Sequence, residues 1–388
     1  MATLSDLPTP CLLIERSRLA ANISAMQARA DAQGVRLRPH IKTHKSTVLA
    51  RMQQQAGARG ITVATVGEAE HFVRAGFDDI RIAYPVIGRD RLERVADLYA
   101  DTRLSFCVDT LPGVRAASDF FASRGVSAEV LIEVNVGQNR CGVDPEDARS
   151  AALARTVAES PGIRLAGILT HAGQVYKGPP EGVSKEEAIR IVSRHERDAM
   201  LRFAGRLREA GLAEPGAFEI SIGSTPTMHV FENREEGGFR ITEIRPGNYV
   251  LHDAMQVALG SVALTDCALT VLTTVVSRHR TASGRERLFA DAGSKTVTSD
   301  QGAGTDGYGQ LLYDGLRMER LPHARIAALS EEHAWIDVSG GSTLEVGDRI
   351  RLVPNHACVC MHLHETAWLV DGEEVIDSLP VDARARVP

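Results

Sequence analysis

Three things are scarce in this 388-residue chain: cysteine, surplus positive charge and long apolar runs. The six cysteines (Cys11, Cys107, Cys141, Cys267, Cys358 and Cys360) are no disulfide framework in a chain of this length and read as reduced thiols. Net charge is −6, which argues against a nucleic-acid surface because phosphate binding needs a basic excess. The longest apolar runs, such as 268–276 (ALTVLTTVV), fall far short of the roughly 20 residues of a membrane span. The opening MATLSDLPTP has no basic segment followed by an apolar one, so no secretory leader is expected. With the reduced thiols, this points to a cytoplasmic protein. No internal repeat, low-complexity tract or long linker is present. Hydrophobic residues at 44% and charged residues at 24% are ordinary for a chain that buries a sizeable core.

Short apolar or β-branched runs alternate with longer amphipathic stretches over the first two thirds. Strands are expected at 35–42, 61–66, 79–84, 103–108, 128–136, 164–170, 218–223 and 241–246. Helices are expected near 16–33, 46–57, 67–76, 89–100, 112–124, 145–159, 183–211 and, weakly, 226–236. Gly34, Gly57, Gly76 and Gly211 stand where four of these helices exit. Eight alternating units imply parallel strands with right-handed crossovers, hence an α/β fold with a (β/α)8 TIM-type barrel over 16–255. A doubly wound sheet competes, but it usually has fewer strands, and no GxGxxG follows the first one. After residue 255 strand-like runs dominate, at 258–278, 287–291, 324–328, 333–338, 348–353 and 366–376. They suggest an all-β domain over 256–388, joined by the N-terminal segment 1–15 through the run 11–15 (CLLIE). SGGS at 339–342 reads as a hairpin turn.

A barrel carries its chemistry at the C-terminal ends of its strands. The first strand ends in RPHIKTHK, and period-two alternation puts His40 and Lys42 on one face with Arg38. A lysine at the mouth would lose solvation and ammonium stability, becoming a Schiff-base nucleophile; a solvated basic strand end is the plain alternative. Arg140 lies in a glycine-flanked loop (GQNRCGV), and THAGQVY offers His171 and Tyr176. Strand seven runs into GSTPT, placing Gly223, Ser224 and Thr225 at a turn with free N–H groups. Strand eight follows with RPGNY, supplying Gly247 and Asn248. Glycine loops after strands seven and eight are where barrels commonly hold phosphate, so with the lysine they suggest pyridoxal phosphate. In PNHACVCMHLHE, strand alternation would put His356 and Cys358 on one face, able to share a metal ion. Cys360, His362 and His364 continue the same parity, leaving the ligand set open.

RPHIKTHK, GARGITVATVGEAE, AYP, GSTPT, RPGNY, DAGSK and PNHAC, in this order over nearly the whole chain, closely resemble the D-threonine aldolase and D-serine dehydratase group. These are fold-type III, alanine racemase-like pyridoxal 5'-phosphate enzymes. The resemblance implies that Lys42 carries the cofactor, with Lys45 only a neighbour. It implies that Arg140 faces the pyridine nitrogen and that Tyr176, Gly223, Ser224, Thr225, Gly247 and Asn248 hold the phosphate. His356 and Cys358 would bind a divalent metal: zinc suits the soft pair, while an open site also admits manganese or magnesium. His171 is the expected base for the β-hydroxyl proton, an orienting hydrogen bond being its alternative. DAGSK looks more like the aldolases, so the expected reaction is cleavage of D-threonine to glycine and acetaldehyde. The alternative is a D-serine or D-threo-3-hydroxyaspartate dehydratase, in which Lys42 removes the α-proton. An amino-acid racemase is remoter, since it lacks the paired metal ligands. The partners expected are a small D-3-hydroxy amino acid and, by family analogy, a second copy of the chain in a homodimer.

Overall fold

In the computed structural model, which describes residues 2–282, 284 and 286–387, a 3-10 turn (Leu4–Asp6) leads into β1 (Cys11–Glu15) and α1 (Arg16–Ala32). Residues 1 and 388, the outer limits of the two expected domains, lie outside the described residues. Alternation follows: β2 (Arg36–Leu37), α2 (Thr47–Gln55), β3 (Ile61–Val63), α3 (Val66–Arg74), β4 (Asp79–Pro85), α4 (Arg89–Leu98), β5 (Arg103–Val108) and α5 (Leu111–Ser123). It continues through β6 (Ala128–Val134), α6 (Ala148–Glu159), β7 (Ile163–Thr170), α7 (Lys185–Glu209), β8 (Glu219–Ile222), the single turn α8 (Thr225–Met228) and β9 (Glu243–Ile244). Side-chain caps start several helices: Thr65 accepts from Glu68 N–H and Ser184 from Glu187 N–H, satisfying groups that the helix itself leaves unpaired.

The eight strands β2 to β9 form one parallel sheet in the order β2-β9-β8-β7-β6-β5-β4-β3. Its two ends meet: His40 bridges Thr62 in parallel, and Thr62 N–H donates to the Pro39 carbonyl at 2.8 Å. The barrel is therefore closed by the segment just after β2, the one that carries Lys42. Its floor is a ladder of buried charges. Arg38 Nε donates to Glu243 Oε2 at 2.7 Å, and Arg81 reaches Glu219 at 2.9 Å and Glu243 at 2.5 Å. Burial alone would raise the Glu243 carboxyl, but Arg38 and Arg81 hold it well below the usual range. Gly167 on β7 is required here, because a Cβ would lie 2.1 Å from the Glu219 carbonyl oxygen. Outside the barrel, Phe72, Phe121 and Phe203 are fully buried, worth about 2 kcal/mol each.

After the barrel come α9 (Ala254–Leu259), β10 (Leu269–Arg280), β11 (Glu286–Ala290), α10 (Ser294–Val297), β12 (Gln310–Asp314), β13 (Glu319–Arg320), β14 (Ala324–Leu329), β15 (Ala334–Val338) and β16 (Arg349–Val353). The chain ends with α11 (Ala357–His362), β17 (Thr366–Asp371) and β18 (Glu374–Pro380). Ten strands make the second sheet, in which β1 lies between β10, antiparallel, and β17, parallel. No helix among the described residues is long and apolar enough to cross a membrane.

Several expectations need correction. The strand at 35–42 ends at Leu37, and Ile41–Thr43 is a 3-10 turn, since the chain must bend to close the barrel. The first part of 258–278 is helical or turn, because Asp253 caps α9 by accepting from Gln256 N–H. The helix at 226–236 stops at Met228, and the run 366–376 is two strands turning at Gly372. SGGS is no hairpin turn: β15 pairs with β11 and β14 while β16 pairs with β10 and β12, so the segment crosses between strand sets. PNHACVCMH is not a strand either. Residues 357–362 are helical, with Asp253 accepting the first N–H, from Ala357, at 2.9 Å.

Candidate active site

All twelve residues expected in the site line one cavity of about 800 Å³ at the C-terminal ends of the barrel strands: His40, Lys42, Arg140, His171, Tyr176, Gly223, Ser224, Thr225, Gly247, Asn248, His356 and Cys358. The barrel supplies ten of them, and the start of α11 supplies His356, its N-cap, and Cys358 from the opposite wall.

Lys42 sits in the 3-10 turn after β2, open only towards the cavity. Desolvation by the surrounding protein lowers its pKa, and the charges of Arg140 and Arg245 push the same way against Cys358 and Glu68. The result is an amine more readily neutral than a surface lysine. Lys45 goes elsewhere. Its backbone turns left-handed (φ 50°), and its ammonium meets the buried Glu68 at 2.6 Å, off the cavity lining. Burial, then the charge of Lys42, holds His40 well below its ordinary pKa.

His171 follows β7. Its Nδ1 lies 3.0 Å from the Gly223 carbonyl, which can only accept, so Nδ1 carries the hydrogen and Nε2 is the bare acceptor. Burial first, then Lys42, pushes its pKa down to about 3, keeping the ring neutral near neutral pH. The Gly223 N–H is not free for a phosphate: it donates to Glu196 Oε1 at 2.9 Å. Gly223 instead contributes its φ of 137°, a conformation L side chains avoid. The N–H groups of Thr225, Gly247 and Asn248 have no acceptor among the described residues. A Cβ on Gly247 would stand 2.7 Å from the His40 carbonyl oxygen, so only glycine lets the chain pass there. Tyr176 OH accepts from Gln256 Nε2 at 3.3 Å, and Asn248 Nδ2 donates to Asp253 at 2.5 Å while its side-chain oxygen has no partner.

On the opposite wall, burial disfavours charge on both His356 and Cys358, yet each stabilises the other. The imidazole is pushed up to about 10 and the thiol down, towards the thiolate that binds metals. Cys358 also reaches Thr43 Oγ1 at 3.3 Å, next to Lys42. The helix separates the rest of the expected row. Cys360 donates to the Thr296 carbonyl, His364 meets the same oxygen at 3.0 Å, and neither they nor His362 line the cavity. Among the described residues no group of three or more His, Cys, Asp or Glu is placed to hold a metal, so a metal on this pair would take its remaining ligands from water or substrate. Sulfur and imidazole donors beside an open cavity fit that use.

Sequence reasoning missed Arg245, Asp300, Asp253 and Glu196. Arg245 is buried, lines the cavity and donates to Ser221 Oγ and the Thr170 carbonyl. It was visible in RPGNY's own motif as the residue before proline. Asp300 lies in a coil after α10 with no motif to mark it. Glu196 sits on α7, where a glutamate reads as solvent-facing. The cavity fits pyridoxal phosphate: one desolvated lysine, unpaired N–H groups beside glycines, and orphan polar atoms on His40 and Asn248.

The alanine racemase N-terminal domain family matches residues 14–254, and the putative serine dehydratase domain matches 268–370. A D-threo-3-hydroxyaspartate dehydratase of Delftia sp. (strain HT23) is 36% identical over 369 residues, covering 92% of each chain. A D-threonine aldolase of Arthrobacter sp. is 32% identical over 385 residues, covering 98% of this chain and 94% of that one. A solved metal-free variant of D-threo-3-hydroxyaspartate dehydratase superposes with a TM-score of 0.87 at 34% identity, covering 98% of this chain and 99% of that one. The chain belongs to the alanine racemase-like family of pyridoxal-phosphate enzymes, in the branch of lyases whose barrel is followed by a serine dehydratase domain.

Proposed function

We propose that the chain is a divalent-metal-assisted, pyridoxal-phosphate-dependent lyase of D-3-hydroxy amino acids, and that it splits D-threonine into glycine and acetaldehyde. The observation that carries this reading is the meeting of a desolvated lysine, a neutral imidazole and a His/Cys donor pair in one cavity. Lys42 would hold the cofactor, with its phosphate among Tyr176, Ser224, Thr225, Gly247 and Asn248, shaped by Gly223. His40 lies beside the lysine, and Arg140 is assigned to the pyridine nitrogen. When bound, pyridoxal phosphate supplies an electron sink for charge left at Cα. His356 and Cys358 would hold a divalent ion, which would supply Lewis acidity for the β-hydroxyl. His171 accepts the β-hydroxyl proton at Nε2, which its bond to Gly223 leaves free. Lys42, whose pKa burial lowers, takes or returns a proton at Cα. Cys358 of α11 and residues 300–303 complete the lining of the cavity. The reading also includes a homodimer, a cytoplasmic location, and a division near residue 255 between barrel and β-domain.

A second reading is favoured by the higher identity to the dehydratase, 36% against 32%. In it Lys42 removes the α-proton and the β-hydroxyl departs, from D-threo-3-hydroxyaspartate or D-serine. Incubation of the metal-loaded enzyme with D-threonine separates the two: glycine with acetaldehyde supports cleavage. Release of 2-oxobutyrate and ammonia would sink it in favour of the second reading.

A further inference from the structure

We infer that Glu196 is a positioning residue: through the Gly223 peptide it fixes both the tautomer of His171 and the cradle that follows Gly223. This rests on the pyridoxal phosphate reading of the cavity. Glu196 projects from α7, is fully buried, and forms no ion pair with a lysine or arginine among the described residues. Its two oxygens are instead divided between neutral donors. Oε1 accepts from Gly223 N–H at 2.9 Å, and Oε2 accepts from Thr227 Oγ1 at 3.1 Å. The same Gly223 peptide presents its carbonyl to His171 Nδ1 at 3.0 Å. One peptide unit is thus held from behind by a carboxylate and in front by the imidazole. A carboxylate on the N–H polarises the peptide and strengthens its carbonyl as an acceptor.

Thr227 extends the arrangement into the cradle. Its hydroxyl also lies 2.9 Å from Ser224 Oγ and 3.2 Å from the Ser224 carbonyl. While Glu196 is ionised, the Thr227 hydrogen points at it, and Thr227 can accept from Ser224. Once Glu196 takes a proton, that proton goes to Thr227 Oγ1, because the Gly223 and Ala172 N–H groups that also face the carboxyl can only donate. Thr227 then turns its own hydrogen to Ser224, and the serine hydroxyl reorients. Burial, opposed by the bonds from Gly223 and Thr227, pushes the Glu196 carboxyl up to about 7. The exchange therefore falls at neutral pH. The charged or titratable groups facing it are Arg245, beyond β9, and His171, through Gly223.

The test titrates apoenzyme with pyridoxal phosphate, following the cofactor's absorbance between about pH 6 and about pH 8.5, for wild type, Glu196→Gln and Thr227→Val. Glu196→Gln is expected to weaken cofactor binding about tenfold, because its amide keeps one acceptor oxygen only. It also removes the inflection near neutral pH. Thr227→Val is expected to flatten the inflection in cofactor affinity, since the hydroxyl that passes the change from Glu196 to Ser224 is gone. Wild-type affinity and an unmoved inflection in both variants would overturn the inference. Failure of the wild type itself to bind pyridoxal phosphate would overturn the cofactor reading instead.

Discussion

Asp300 Oδ2 lies 2.7 Å from His356 Nδ1, which commits that nitrogen and leaves Nε2 as the ring atom available to a metal. Such a carboxylate fixes the orientation of a ligand and raises its basicity. Replacing Asp300 by Asn should weaken zinc or manganese binding about 10- to 100-fold, read by calorimetric titration of the metal-free protein. Unchanged affinity would show that Asp300 has no part in holding His356.

The two lysines of the RPHIKTHK segment have different surroundings, and their variants should fail differently. Lys42→Ala should lose the visible absorbance of lysine-bound cofactor. Lys45→Ala should keep it but leave Glu68 buried without its ammonium, a loss of about 3 kcal/mol in urea unfolding. Equal loss of absorbance in both would remove the distinction drawn from their positions.

For His171 the expectation is kinetic. His171→Ala should lower kcat about 10²- to 10⁴-fold, the usual worth of a positioned base, with the cofactor still bound. Because burial and Lys42 push its pKa down to about 3, the wild-type rate profile should show no His171 inflection in the neutral range. A loss confined to KM would assign it to substrate orientation alone.

Acid should destabilise the fold. Burial pushes His44 down to about 4 and His252 down to about 3, so unfolding takes up protons below the unfolded histidine value. Their stabilisation is complete above about pH 6.5 and is lost as pH falls from there towards the folded values, about 1 kcal/mol each at pH 5.5. Glu196, raised to about 7, works in the opposite direction and offsets part of this loss. His252 has φ 55° and an unpartnered Nδ1, so Asn suits the backbone there. Urea midpoints of His252→Asn should vary less between neutral and acidic pH than those of wild type.

The charge ladder in the barrel should be intolerant of single changes. Glu243→Gln leaves Arg38 and Arg81 short of a counter-charge, at a cost of about 3 kcal/mol. A thermal midpoint within a degree or so of wild type would mean that Asp79 and Glu219 suffice.

The alternation of β and α elements was legible because barrel strands and amphipathic helices differ in hydrophobic period; Arg103–Val108 is a strand over the span its sequence suggests. The meeting of Lys42 with Gly223 and Gly247 followed from one rule, that reactive groups gather at the strands' C-terminal ends. The helix at Ala357–His362 was not legible. His-x-Cys-x-Cys-x-His alternation imitates a strand, while the capping carboxylate that makes it a helix, Asp253, is about a hundred positions away. Glu219, Glu243, Arg38 and Arg81 were equally hidden, since a charge inside a barrel looks like a charge on a surface until its partner's position is known. β12 and β13 were missed because short strands carry too few alternations to stand out.

The place of Cys11–Glu15 has a consequence for how the molecule is made. Leu12 pairs with Val271 and Ala367, so this strand has both its neighbours only after some 350 further residues have been made. Until then the apolar side chains of Leu12, Leu13 and Ile14 have no completed sheet to enter. Such long-range pairing raises contact order, slows folding and leaves the nascent chain open to misassociation. Removing the final hairpin, β17 with β18, would therefore leave the first strand without its parallel neighbour, although the two lie at opposite ends of the sequence.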